Sequence, residues 1–165
     1  MSYVFTPAPR ASIAVVGLAE RFPVHRIYCV GRNYVEHAQE MGHSGREAPF
    51  FFMKPADAVL VAEPGMVASM PFPSLTDNLH HEIELVVAIG RGGSDIPAAD
   101  AHQHIYGYAV GLDITRRDLQ NAAKKLGRPW SIAKGFDHSA PIGAITRVEQ
   151  VTDVEAASIR LQVNG

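Results

Sequence analysis

An α+β fold made mostly of strands, with short helices at its periphery, is what this sequence predicts. Three observations point to it. β-Branched and aromatic runs are punctuated by Pro and Gly, two apolar runs at 81–89 and 106–113 dominate the middle, and only two stretches carry helical periodicity.

Ser12 to Gly17 and Arg26 to Val30 read as strands, bounded by Pro, Gly and polar residues. Asn33 is placed to cap a helix, Glu36 completes its capping box, Tyr34, Ala38 and Met41 form an apolar stripe, and Gly42 ends it. Phe50 to Met53 and Ala58 to Ala62 read as buried strands on either side of Pro55, and Glu63-Pro64-Gly65 as a turn. His81 to Ile89 opens with alternation and closes in the continuous run Leu85 to Ile89 that burial on both faces requires; Tyr106 to Asp113 matches it. Thr115 and Asp118 form a second capping pair, ahead of an apolar face of Leu119, Ala122, Ala123 and Leu126 that Gly127 and Pro129 terminate. Ala157 to Val163 alternates like a half-buried strand, and Asn164-Gly165 is a hairpin turn signal with no second strand after it, so the C-terminal part is expected to be missing.

One domain over residues 1–165 is expected, with 1–24 as N-terminal strands leading into it; 47% hydrophobic residues suffice for a single core. The 15 basic and 17 acidic side chains are interspersed, so no nucleic-acid surface is indicated, and a small molecule is the expected partner. No signal peptide or membrane span is read, and the single cysteine, Cys29, excludes an internal disulfide; a cytoplasmic location is expected.

Glu82 and Glu84 stand two apart in a strand and share one face. Two adjacent anions need a cation, and Asp113, ending the next strong strand, offers a third oxygen donor, a set suited to Mg²⁺ or Mn²⁺. The same pair could simply line a solvated face. His80 and His81, as neighbours in a strand, face opposite ways and do not share one ion. His37 and Glu40, three apart on the first helix, could form a general-base dyad or an ordinary surface pair. Lys54 and Lys134 lie among apolar residues and either snorkel to water or face an anionic substrate. Arg117 and Gln120 share a helix face away from Leu119 and Leu126 and close in sequence to Asp113, where an arginine fork could clamp a carboxylate or, with Arg116, Lys124 and Lys125, simply form a solvated face. No phosphate loop, nucleophile elbow or Cys-x-x-Cys is present.

The ordered set Tyr28-Cys29-Val30-Gly31-Arg32-Asn33-Tyr34 with His37 and Glu40, Phe50 to Pro55, His81 to Leu85, Gly111-Leu112-Asp113 with Arg117, Asp118 and Gln120, and Lys134-Gly135-Phe136 resembles the fumarylacetoacetate hydrolase family, most closely its bacterial fumarylpyruvate hydrolases. The resemblance implies a mixed β-sandwich or β-roll, commonly homodimeric. It implies metal ligands Glu82, Glu84 and Asp113 for Mg²⁺ or Mn²⁺, with Ca²⁺ as a substitute, and catalytic residues His37, Glu40 and Lys134. It also implies substrate contacts from Arg117 and Gln120, to which Lys54 is added as a cation facing the substrate. The family's C-terminal section, with its Thr-Gly-Thr-Pro motif, has no counterpart here. The expected reaction is hydrolysis of a carbon–carbon bond in an acylpyruvate-type diketo acid. Its rivals are an oxaloacetate decarboxylase or general acylpyruvase on the same scaffold, and a non-catalytic dicarboxylate-binding fragment.

Overall fold

Strand pairing organises the described residues into two small ribbons and one larger sheet. The computed structural model describes residues 2–31 and 48–165, so the expected helix at 33–42 lies outside the described residues. β1 (Ser12–Ala14) pairs antiparallel with β2 (Arg21–Pro23), and β3 (Ile27–Gly31) pairs antiparallel with β4 (Phe50–Lys54). The third sheet runs β5 (Val59–Val61), β8 (Ala140–Ile142), β7 (Ile105–Arg116) and β6 (Leu79–Ile89), with β9 (Thr146–Arg147) also on β7. β5 and β8 are parallel; the other pairings of this sheet are antiparallel. Two helices, α1 (Arg117–Lys125) and α2 (Ser131–Lys134), follow β7. No helix among the described residues is long and apolar enough to cross a membrane.

The long β6–β7 ribbon is the frame for everything that follows. Directly opposed residues of an antiparallel pair point to the same side, so the register Glu82↔Asp113, Glu84↔Gly111, Val86↔Ala109 and Ala88↔Gly107 defines one face. That face is the inner one: Ala88 and Ala109 join Ile13, Val24, Ala140, Ile142 and the fully buried Ile145 in the core. Burying apolar side chains here contributes about 25 cal/mol per Å² removed from water. The polar residues at 82, 84 and 113 continue the same face beyond the core. Gly107 is required where β9 crosses, because a Cβ there would overlap the carbonyl oxygen of Thr146.

Four expectations are corrected. Leu85, Val87 and Ile89 are 43%, 42% and 56% exposed, so β6 is buried on one face only, although its apolar run had suggested two. The pair Thr115 and Asp118 makes no capping box: Arg116 is the residue that precedes the helix, and the Thr115 hydroxyl donates back to the Asp113 carbonyl. The α1 face turned inward carries Gln120, and Leu126 is 62% exposed. Finally, residues 157–163 form no strand; the alternation there finds no neighbouring strand among the described residues. The turn at Glu63 to Met66 is present, closed by the Met66 N–H on the Glu63 carbonyl, 3.0 Å.

Asp118 does different work from a cap. Its carboxylate accepts from the Thr76 hydroxyl (2.6 Å), the Asp77 N–H (3.1 Å) and the Leu119 N–H (2.9 Å), tying the segment before β6 to the start of α1. The Thr76 bond first, and the backbone donors after it, hold this carboxyl below its ordinary value of 3.8. Stability from a carboxyl depressed on folding is present above the ordinary value and is lost as pH falls through the depressed one. Thermal melts in acid should therefore show Asp118→Asn with a flatter loss of Tm below about pH 4 than the parent chain.

Candidate active site

Glu82 and Asp113 face each other across β6 and β7, and between them lies the ammonium of Lys134. Lys134 Nζ donates to Glu82 Oε2 at 2.9 Å and to Asp113 Oδ2 at 2.6 Å, from a side chain only 2% exposed. The short helix α2 makes this possible: the Lys134 N–H is held on the Trp130 carbonyl, and Ala133 is buried beside it. Four residues are too few to show helical periodicity, so this element left no trace in the sequence pattern.

The other expected residues fall around this pair. Arg117, at the first position of α1, donates through one guanidinium nitrogen to Glu82 Oε1 and through another to Gln120 Oε1, 2.7 Å away. Glu84 stands on the same face two residues along, opposite Gly111. Lys54, from the end of β4, is 1% exposed and lies 2.9 Å from Asp113 Oδ1. His80 and His81 oppose Thr115 and Ile114, which puts them on opposite faces as the alternation requires. His37 and Glu40 lie outside the described residues.

Charge is compensated throughout this cluster, as a buried group of ions requires. Burial opposes ionisation of Glu82, but Lys134 and Arg117 outweigh it and hold its carboxyl below the usual carboxylate range. Burial, with Asp113 behind it, pushes the Cys29 thiol up to about 12, so this neighbour stays a neutral thiol and no thiolate ligand. Phe52 lies under Lys134 with its ring centre 5.0 Å from Nζ, and Trp130 packs on Phe50 and Phe52 at 5.4 and 5.7 Å. Ser139 had no signal in the sequence: fully buried, it donates to the Lys134 carbonyl at 2.9 Å, and Lys54, a candidate from the sequence, donates to the same carbonyl.

As they stand, the acidic groups do not close into a cage: among the described residues no three His, Cys, Asp or Glu side chains are grouped to hold a metal ion. Glu82 and Asp113 share a common point, Lys134, while Glu84 lies beside it on the same face. The donor set nonetheless suits a hard divalent ion. Three carboxylates occupy one face, and buried Asp113 Oδ1 accepts no hydrogen bond despite its ionic contact with Lys54, leaving a lone pair available. Arg117 Nε is likewise buried without a partner, a spare donor beside the acidic face.

Comparison with known proteins bears on this geometry. The crystal structure of fumarylpyruvate hydrolase from Pseudomonas aeruginosa, in complex with Mn²⁺ and pyruvate, superposes with a TM-score of 0.87 at 53% identity, covering 90% of this chain and 64% of that one. Mitochondrial oxaloacetate tautomerases from Arabidopsis thaliana and Rattus norvegicus are 42% and 43% identical, over 85% and 84% of this chain. The chain spans 61% of the length of each of these two relatives. The mostly β architecture with short peripheral helices is thus the one that the family resemblance implied. Residues 26–165 match the family model described as fumarylacetoacetate (FAA) hydrolase C-terminal, and the chain belongs to that family.

Proposed function

We propose that the whole protein hydrolyses a carbon–carbon bond in an acylpyruvate-type diketo acid, fumarylpyruvate giving fumarate and pyruvate. The observation that carries this reading is the buried Lys134 ammonium, held between Glu82 and Asp113 beside the Arg117–Gln120 pair. It supplies fixed positive charge where an enolate would develop. Glu82, Glu84 and Asp113 would hold Mg²⁺ or Mn²⁺, which when bound supplies Lewis-acid polarisation of the substrate's oxygens.

Arg117 and Gln120 orient the substrate carboxylate, Arg117 with a fork that matches it in geometry. His37, oriented by Glu40, removes a proton from the water that attacks the distal carbonyl. The carbon–carbon bond then breaks, its electron pair passing into the pyruvate fragment as an enolate. Lys134 stabilises that charge until carbon is protonated. The wall of Phe50, Phe52 and Trp130 lowers the dielectric around the ammonium and strengthens the effect. Fumarylpyruvate plus one water balances fumarate plus pyruvate.

A second reading rests on the 42–43% identical oxaloacetate tautomerases. Moving a proton between the keto and enol forms of oxaloacetate needs the same charge-stabilising cluster but no attacking water. Full-length protein, assayed for pyruvate release from fumarylpyruvate with and without chelator, is expected to lose turnover by at least about 10²-fold when the ion is withdrawn. Undiminished turnover would refute the metal-dependent reading. A protein that releases no pyruvate but interconverts the oxaloacetate forms, and keeps doing so as His37→Ala, would favour the second.

A further inference from the structure

We infer that Lys54 is a positioning residue: its ammonium holds Asp113 and the end of α2 in register, so that the carboxylate and the Lys134 side chain meet. This inference rests on the proposed role of Asp113 and Lys134 in the site.

Three observations converge on it. Lys54 ends β4, in the ribbon with β3, yet its side chain crosses to two other elements: Nζ donates to the Ile114 carbonyl in β7 at 3.0 Å and to the Lys134 carbonyl at the end of α2. The same nitrogen lies 2.9 Å from Asp113 Oδ1, while Lys134 takes Oδ2, so one carboxylate is gripped from both sides by two ammonium groups. Next to this contact, the Pro55 ring packs against Gly135: a Cβ on that glycine would come 3.3 Å from Pro55 Cδ and 3.2 Å from the Ser131 carbonyl oxygen. Lys54-Pro55 therefore closes on Lys134-Gly135 as a clasp, polar on one residue and apolar on the next.

The geometry separates this role from a substrate contact. At 1% exposure, with carbonyl partners on two elements and a carboxylate as counter-ion, the Lys54 ammonium is already committed inside the protein. A substrate anion would have to displace at least one of these partners and leave it buried without a hydrogen bond. Lys134 is different: its ammonium donates to the two carboxylates of the acidic face, where substrate and ion would arrive. Lys54 thus acts through Asp113 and Lys134, as supporting groups of metal sites do.

The test is Lys54→Met in the full-length protein, which keeps the length of the side chain and removes its charge and donors. Mn²⁺ affinity is read by calorimetry with the metal alone, and steady-state kinetics follow on the loaded enzyme. The expected result is Mn²⁺ binding weakened by about tenfold and kcat lowered by about 10–100-fold, with the substrate KM held within about twofold. A KM raised by about tenfold, with kcat and Mn²⁺ affinity retained, would place Lys54 on the substrate and overturn the inference; so would three unchanged parameters. Should the parent protein bind no Mn²⁺, the metal reading fails by itself. Amide exchange then decides: faster exchange in Lys54→Met at residues 113–115 and 131–135, with β1 and β2 unchanged, supports the clasp, and unchanged exchange there refutes it. If Lys54→Met does not fold, Lys54→Gln, which retains an N–H donor, carries the same comparisons.

Discussion

Lys134→Met is expected to lower turnover by about 10²–10³-fold and to destabilise the fold by about 3–5 kcal/mol. The two losses have one origin. The ammonium is 2% exposed and bridges two carboxylates, so its removal leaves Glu82 and Asp113 facing each other with less positive charge between them. A methionine replaces the alkyl stem but supplies neither the charge nor the donors, and breaking one partner out of a buried ionic cluster costs far more than losing a surface pair. On the proposed mechanism, the same substitution withdraws the fixed charge from the developing enolate. Urea denaturation beside single-turnover kinetics separates the effects, because Mg²⁺ or Mn²⁺ should recover part of the stability by screening the two carboxylates while the rate stays low. A variant with parental turnover would remove Lys134 from the mechanism.

Asp113→Asn should be comparably severe, with Mn²⁺ binding lost and stability again reduced by about 3–5 kcal/mol. Here the uncompensated groups are cations. Burial already lowers the Lys54 ammonium below its ordinary value of 10.5, and Asp113 is the group that opposes that shift most strongly. With the carboxylate gone, the folded-state value falls further below the unfolded one. A lysine depressed on folding binds fewer protons in the native state than in the unfolded state over that interval, so stability rises with pH there. The deficit of Asp113→Asn should accordingly shrink as pH is raised above neutrality, whereas that of Lys134→Met should not. Chemical denaturation at a series of pH values resolves the two slopes, and parallel slopes would contradict the assignment of Lys54 and Asp113 as one electrostatic unit.

The strongest periodicities in the sequence survive in the structure. β6 and β7 are present where alternation and apolar runs placed them, because a long antiparallel pair is specified by the side chains of its own two strands. The spacing of Glu82 and Glu84 puts two carboxylates on one face by strand geometry alone, and the register Glu82↔Asp113, which no spacing reveals, adds the third. Short elements were not legible: β2, β8, β9 and α2 have two to four residues each, too few for a period to repeat. The alternation of Ala157 to Val163 shows the converse failure, since a two-residue period describes a face but not the neighbour that would receive it. The burial of Gln120, 3% exposed, is not legible either, because an apolar stripe such as that of α1 predicts its own face inward, and here Leu126 is 62% exposed. Lys54 and Lys134 illustrate the deepest limit. A lysine among apolar residues ordinarily snorkels outward, and partners distant in sequence, Asp113 for both and Glu82 for Lys134, make inward burial favourable.

The sealing of the two ammonium groups has a consequence for how the centre responds to its surroundings. Mobile ions screen charges that they can approach, over about 8 Å at physiological ionic strength, and they reach a sheltered pair only weakly. Lys54, at 1% exposure, and Lys134, at 2%, are screened far less by monovalent electrolyte than the surface pair Arg147–Glu149, while Glu82, 23% exposed, leaves the acidic face open to a divalent ion. Raising potassium chloride should therefore weaken the protein's outer electrostatics more than the field of its two sheltered ammonium groups, so that the centre's charge responds to its specific ligands more than to bulk salt.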